Sequence, residues 1–344
     1  MKKLISLVLA LMFVFSMATV AMATGDAAWD GTYTQSDATS FKIYKDYTSD
    51  ETFAPAETLT FTVTAATTNP DTTSITVPNV TITGSVLNDI EITVNVPSFT
   101  KAGIYEYTIK ENAGTAAGAA YDTGKTIYVQ ILVEYDNDNH KLVIGNPTNE
   151  ESGIVYFIKK DDTGAKTDTF ANTFKTNDFT VAKDVTGNMA NENDKFEIVV
   201  TLTAPEGKTI CTPITIGGVE VAANEWTNGV YTKTLNLSEN DGATTFANIP
   251  AGVTVSVAET SGETNMKGYD LTGYSVNGAD AATSASFTVN GDATSADSVV
   301  VINYKTADVN TGITLDSLPF VLILAVCAGA AVLFVVKRRT SVDF

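Results

Sequence analysis

The chain has 344 residues, 44% of them hydrophobic, and a formal charge of −19 at pH 7. Setting aside five basic and two acidic residues near its two ends leaves 16 lysines against 38 acidic residues, a charge of −22 with no arginine. Such a surface excludes nucleic acid and anionic lipid as partners, and the missing guanidinium removes the usual fork for phosphate.

The first 23 residues read as a secretory signal peptide: Met1-Lys2-Lys3 is basic, 4–20 is apolar, and Ala21-Met22-Ala23 is a small-residue cleavage site. The mature chain is expected to begin near Thr24. Beyond it, Phe41, Ile43, Lys45 and Tyr47 fall on one phase of a strand, because successive strand side chains alternate between faces. Residues 59–63 and 90–96 also alternate and are predicted as strands. Tyr105, Tyr107, Ile109 and Glu111 share a face, strands are expected over 126–135 and 153–159, and Phe170, Asn172 and Phe174 share another face. The second half repeats the order, with Phe179, Val181, Lys183 and Val185, then Val253, Val255, Val257 and Glu259, then Val299, Val301 and Asn303. Further strands are predicted over 196–202, 230–237 and 287–289. Glycine- and asparagine-rich turns separate these runs, threonine is abundant, and no helical period is present.

This pattern predicts an all-β chain of β-sandwiches, and its length suggests two domains. The phrases around Lys45 and Lys183 align, as do those around Glu111 and Glu259. Aligning them places the domains at 24–175 and 176–307, with a short linker over 175–178.

Conventional active-site patterns are absent from the sequence. His140 is the single histidine, expected in a solvated loop, and no metal-spaced Cys/His set, P-loop or dinucleotide fingerprint occurs. The acidic runs 136–139 and 191–194 read as solvated turns, lacking a full calcium-loop pattern. Neither a metal nor a cofactor is expected. Cys211 and Cys327 cannot pair within the exported part, since Cys327 lies in a C-terminal apolar run, and Cys211 is expected to be a partly buried small residue.

The six polar residues on apolar phases carry the chemistry. An unpaired ammonium or carboxylate in a core is costly, so two sets in the order Lys, Glu, Asn suggest groups that meet. Burial lowers a lysine pKa and raises that of a glutamate. A neutral Lys45 amine is then a nucleophile, the Asn172 carboxamide an electrophile, and Glu111 the group that hydrogen-bonds the carbonyl and shuttles protons as ammonia leaves. The product is an amide between Lys45 and Asn172, formed once. Lys183, Glu259 and Asn303 are expected to do the same. By analogy with a disulfide, closing loops from 45 to 172 and from 183 to 303 stabilises each domain by about 4–5 kcal/mol. Tension would then pass between the first and last strands through covalent bonds. Lys42 and Lys110 lie on the opposite, polar phase, and Lys305 lies at a strand end.

Residues 308–344 complete the pattern. Asp308-Val309-Asn310-Thr311-Gly312 precedes an apolar segment over 317–336, long enough to cross a bilayer. Lys337-Arg338-Arg339 follows and would keep that end in the cytoplasm. Together these resemble the cell-wall sorting signal of Gram-positive bacteria, in which a sortase cleaves between threonine and glycine, here Thr311 and Gly312. Asp-Val-Asn-Thr-Gly is similar to the Glu-Val-Pro-Thr-Gly variant, with Asn310 in the proline position. Taken with the Lys, Glu and Asn phrases, the chain resembles the major, backbone pilins of the T-antigen (FctA) type.

That resemblance implies two immunoglobulin-like, CnaB-like domains, each with one intramolecular isopeptide bond and no turnover. It implies subunits joined head to tail by a pilin sortase, from Thr311 to a lysine of the next subunit, and a housekeeping sortase that links the fibre to peptidoglycan. Lys166 matches the place of the acceptor lysine, with Lys159 and Lys160 as alternatives. The expected location is a surface pilus anchored to the cell wall through a membrane-held precursor. Accessory pilins and host surface ligands are the further partners, in adhesion and colonisation. A wall-anchored adhesin or minor pilin that does not polymerise is the alternative reading, and an extracellular enzyme or calcium-dependent binder a more distant one.

Overall fold

A computed structural model describes residues 31–49, 53–85, 87–145, 167–291 and 296–307, with positions 323, 324 and 326. The predicted signal peptide, the sorting pentapeptide and most of the apolar C-terminal segment lie outside the described residues, as does the strand predicted over 153–159. Among the described residues no helix is long and apolar enough to cross a membrane.

Alternation becomes burial. In β1 (Thr39–Ser49) residues 41, 43, 45 and 47 are buried, while 42 is exposed and 44 and 46 are partly so. The first half continues with β2 (Phe53–Leu59), β3 (Phe61–Ala65), β4 (Val80–Ser85), β5 (Leu87–Val96) and β6 (Gly103–Glu111). Then come β7 (Ala119–Ala120), β8 (Ile127–Asp136), β9 (Lys141–Ile144) and β10 (Thr169–Phe174). One sheet has the order β5-β1-β10-β7, a second β3-β6-β8-β9, and β2 and β4 form a separate pair. Their inner faces share a core that includes Phe41, Ile43, Tyr47, Tyr105, Tyr107, Ile131 and Phe170. Each such side chain contributes about 1.5–3 kcal/mol by leaving water.

The run predicted as a single strand over 59–63 is in fact divided at Thr60. Leu59 pairs with Val80 of β4, whereas Phe61 pairs with Glu111 of β6. Local alternation is preserved across the break, but the partner sheet changes.

The second half comprises β11 (Thr176–Thr186), β12 (Phe196–Thr203), β13 (Ile214–Ile216), β14 (Val219–Val221) and β15 (Val230–Leu237). It ends with β16 (Thr244–Pro250), β17 (Thr254–Glu259), β18 (Asp270–Val276), β19 (Ala285–Thr288) and β20 (Asp297–Tyr304). Two sheets result, β14-β13-β16-β11-β20-β18 and β15-β12-β17-β19. Phe179, Val181, Val200, Phe246, Val257 and Val301 lie in the core between them. Within this half, the single turn α1 (Glu263–Met266) is the one α-helix among the described residues. The chain is all-β, two sandwiches in tandem.

The first and last strands of each sandwich are parallel neighbours. β1 pairs with β10 and β11 with β20. The segment expected as a linker is mostly strand, because β11 begins at Thr176 and Lys175 alone separates it from β10. Lys175 donates its N–H to Gly118 (3.0 Å) and accepts from the Ala251 N–H (2.9 Å). Thr209 of the second half pairs with the 115–117 segment of the first, through Ala117 N–H to Thr209 C=O (2.8 Å) and Thr209 N–H to Thr115 C=O (2.7 Å). The Ala117 side chain is buried in the second core.

Candidate functional site

In the first sandwich, register places the three predicted residues together. Lys45 lies opposite Phe170 and Tyr47 opposite Asn172, so the asparagine sits two residues beyond the lysine's partner, on the same face. β6, on the facing sheet, ends at Glu111. All three side chains are buried, with Lys45 and Asn172 at 0% exposure and Glu111 at 2%. Lys45 Nζ is 2.8 Å from Glu111 Oε2, and Asn172 Nδ2 donates to Glu111 Oε1 at 2.6 Å. One carboxylate therefore holds both nitrogens, the amine and the amide.

The second sandwich repeats the offset, with Lys183 opposite Val301 and Val185 opposite Asn303. Glu259 enters from β17, its backbone N–H bonded to the Tyr274 hydroxyl (2.9 Å), and Asn303 Nδ2 donates to its Oε1 at 2.7 Å. The amine is placed differently. Lys183 Nζ is 3.7 Å from Glu259 Oε2 and donates instead to the carbonyls of Asp184 (3.0 Å) and Val301 (3.1 Å). It also lies 4.5 Å from the centre of the Phe196 ring.

Electrostatics follow burial. Desolvation pulls Lys45 below the ordinary lysine range, although Glu111 opposes the shift. The same cause pushes Lys183 down to about 8 and raises Glu259 above the usual carboxylate range. Removing each ion from water costs several kcal/mol, which a buried pair recovers only in part. Well-packed apolar side chains would serve stability as well. The arrangement is instead suited to acyl transfer: an amine poised to lose its proton, a carboxamide beside it, and a carboxyl group in reach of both.

One expectation needs correcting. Glu111 was expected to hydrogen-bond the asparagine carbonyl, but it accepts from the amide nitrogen. The Asn172 Oδ1 atom instead accepts the backbone N–H of Asp122 at 2.9 Å. A main-chain N–H can only donate, so this contact fixes which end of the carboxamide faces Glu111. The Asp122 carboxylate is itself held, accepting the Ala171 N–H (3.1 Å) and pairing with Lys125 (2.7 Å). Sequence reasoning missed Asp122, which sits in a plain turn whose useful group is main chain and carries no residue-type signature. In the second sandwich Asn303 Oδ1 is buried without a protein hydrogen-bond donor among the described residues.

The remaining predicted residues separate cleanly. Lys42 is on the outer face, paired with Glu91 at 2.7 Å, and Lys110 is exposed. Lys305 lies beyond β20 and donates to the Lys267 carbonyl. Exposed His140 has a positive φ of 51°. Cys211 is half-buried and its thiol is raised by burial. Lys159, Lys160, Lys166, Thr311 and Gly312 lie outside the described residues.

The class of protein is thus a pair of β-sandwiches, each with a lysine and an asparagine on parallel neighbouring strands and a glutamate facing them. Residues 41–175 match the family FctA, described as the Spy0128-like isopeptide containing domain. That match over the first half of the chain agrees with the T-antigen-type pilin resemblance read in the sequence. Residues 177–305 match a domain of unknown function, DUF7601. No curated protein matches the chain. Among solved structures, a major pilin from Streptococcus pyogenes is similar at 20% identity and a TM-score of 0.48, covering 78% of this chain and 99% of that one. The T-13 major pilin protein of the same organism gives 22% and 0.49, with 78% and 99% covered. A pilus-presented adhesin gives 11% and 0.32, with 77% and 100% covered. None reaches a TM-score of 0.5, so the fold assignment rests on the sheets themselves.

Proposed function

We propose that this chain is the major, polymer-forming subunit of a sortase-assembled surface pilus, a structural protein rather than an enzyme. Its two domains, 24–175 and 176–307, would each close by one Lys–Asn isopeptide bond, Lys45 to Asn172 and Lys183 to Asn303. Glu111 and Glu259 would carry the protons. The observation that carries the reading is the shared register: in each sandwich the asparagine lies two residues past the lysine's partner on a parallel terminal strand. A bond there would tie the first strand of each sandwich to its last. The family match of residues 41–175 supports the same reading, and the sorting signal read in 308–339 supplies polymerisation and wall linkage.

Chemically, the neutral Lys45 amine attacks the Asn172 carboxamide carbon. A C–N bond forms, the bond to Nδ2 breaks, and Glu111 relays the proton that lets ammonia leave. Intact mass and peptide mapping of the exported fragment test this, with one ammonia lost per domain expected. Retention of both side chains in both domains contradicts it. In native fibres the cross-linked peptide is expected to join Thr311 to Lys166. Lys166→Ala should abolish the ladder of covalent polymers, and a ladder that survives every lysine substitution points instead to a wall-anchored adhesin or minor pilin.

A further inference from the structure

The two sites are built from the same residues but are not equivalent, and the difference lies at the carbonyl oxygen. Attack on a carboxamide moves charge onto that oxygen, and a fixed donor aimed at it is often the largest single contribution to acyl transfer. In the first sandwich the Asp122 N–H lies 2.9 Å from Asn172 Oδ1. The donor is rigid, because the Asp122 carboxylate accepts the Ala171 N–H one residue before the asparagine and is paired with Lys125. The nucleophile is 2.8 Å from the proton acceptor and the leaving nitrogen is 2.6 Å from its other oxygen.

In the second sandwich Asn303 Oδ1 meets no protein donor among the described residues, and neither does Glu259 Oε2. Lys183 spends its protons on two backbone carbonyls and must leave them before it can reach the carboxylate, 3.7 Å away.

We propose that the Asp122 backbone N–H is the oxyanion donor of the first-sandwich condensation, and that this site therefore closes well before the second. The inference rests on the isopeptide reading above. The step balances as follows. The amine of Lys45, its third proton already on Glu111, attacks the Asn172 carbonyl carbon, and the new negative charge on Oδ1 is held by the Asp122 N–H. One amine proton passes by way of Glu111 to Nδ2, the C–Nδ2 bond breaks, and ammonia departs. Glu111 ends protonated. The side chain of Asp122 is a positioning element, and its main-chain N–H is the group that touches a reacting atom.

The test is a pulse-chase of the newly translated full chain, with peptide mapping of ammonia loss in each domain over time. In the wild type the 45–172 link is expected to appear first. A 183–303 link that forms as fast or faster overturns the proposal, with no variant needed. Asp122→Pro, which removes the N–H, is expected to slow the first link by roughly 10²–10³-fold. Asp122→Ala keeps the N–H but frees the turn, and a smaller slowing is expected. The second link, in the same molecule, should keep its wild-type rate in both variants. An unchanged first-link rate in Asp122→Pro also overturns the proposal. If that variant fails to fold, the wild-type time course and Asp122→Ala decide the matter. Failure of the isopeptide reading looks different, since neither domain of the wild type would then lose ammonia at any time.

Discussion

Glu111 bonds both nitrogens at the first site, so its loss is expected to have two consequences. Glu111→Ala should leave the first sandwich without its ammonia loss while the second still condenses, which peptide mapping reads directly. It also strands a buried lysine, and breaking a buried pair in this way costs about 3–5 kcal/mol. Urea unfolding of Glu111→Ala against the same variant combined with Lys45→Met should show the double variant to be the more stable, because it buries neither charge of the pair. At the second site the pH dependence has a definite sign. Asn303→Ala prevents closure and leaves Lys183, whose pKa is pushed down to about 8, against about 10.4 in an unfolded chain. Between those values the unfolded state binds the extra proton, so stability should rise with pH. The burial cost is fully present below pH 8 and fades towards 10. Raised Glu259 acts in the opposite sense, but from the acid side. The rise should be up to about 3 kcal/mol and should vanish in Lys183→Met combined with Asn303→Ala.

At the scale of elements, the alternating runs became strands because a period of two is written in residue types and needs no knowledge of partners. Thr60 shows where that stops. Residues 59–63 alternate without a break, yet β2 and β3 belong to different sheets, and nothing local records which edge each will meet. The junction between the sandwiches is likewise set by main-chain contacts. Gly118 sits at φ +79°, and a Cβ there would lie 2.6 Å from the Lys175 carbonyl oxygen and 2.9 Å from the Phe174 ring. Gly118→Ala is therefore expected to destabilise the chain by about 1–3 kcal/mol. Gly207, at φ +71° with nothing within 4 Å of its Cβ position, is the control. Gly207→Ala carries only the backbone term, about 1 kcal/mol.

For the whole molecule, a fragment closed at both sites and pulled by its two ends would have a short route for tension. Tension would enter β1, cross from Lys45 to Asn172, continue through Lys175 into β11, and cross again from Lys183 to Asn303. Most of both sandwiches lies off this route. Single-molecule pulling of the wild-type fragment is expected to show no extension from sandwich unfolding. Asn172→Ala should restore one step of roughly 400 Å, the span of the released first loop, and Asn303→Ala one of similar size. A wild type that yields the same steps as the variants contradicts a covalent route.

The sequence by itself determined the strands, the doubled order of lysine, glutamate and asparagine, and the face each occupies, because side-chain alternation and apolar phase are properties of neighbouring residues. It could not decide that Lys183 turns towards backbone carbonyls while Lys45 meets its glutamate. Nor could it assign Asp122 to the carbonyl of Asn172. Those outcomes depend on where a main-chain N–H or C=O comes to rest, and every residue but proline carries both groups alike. Only the packed sheets distinguish one such group from another.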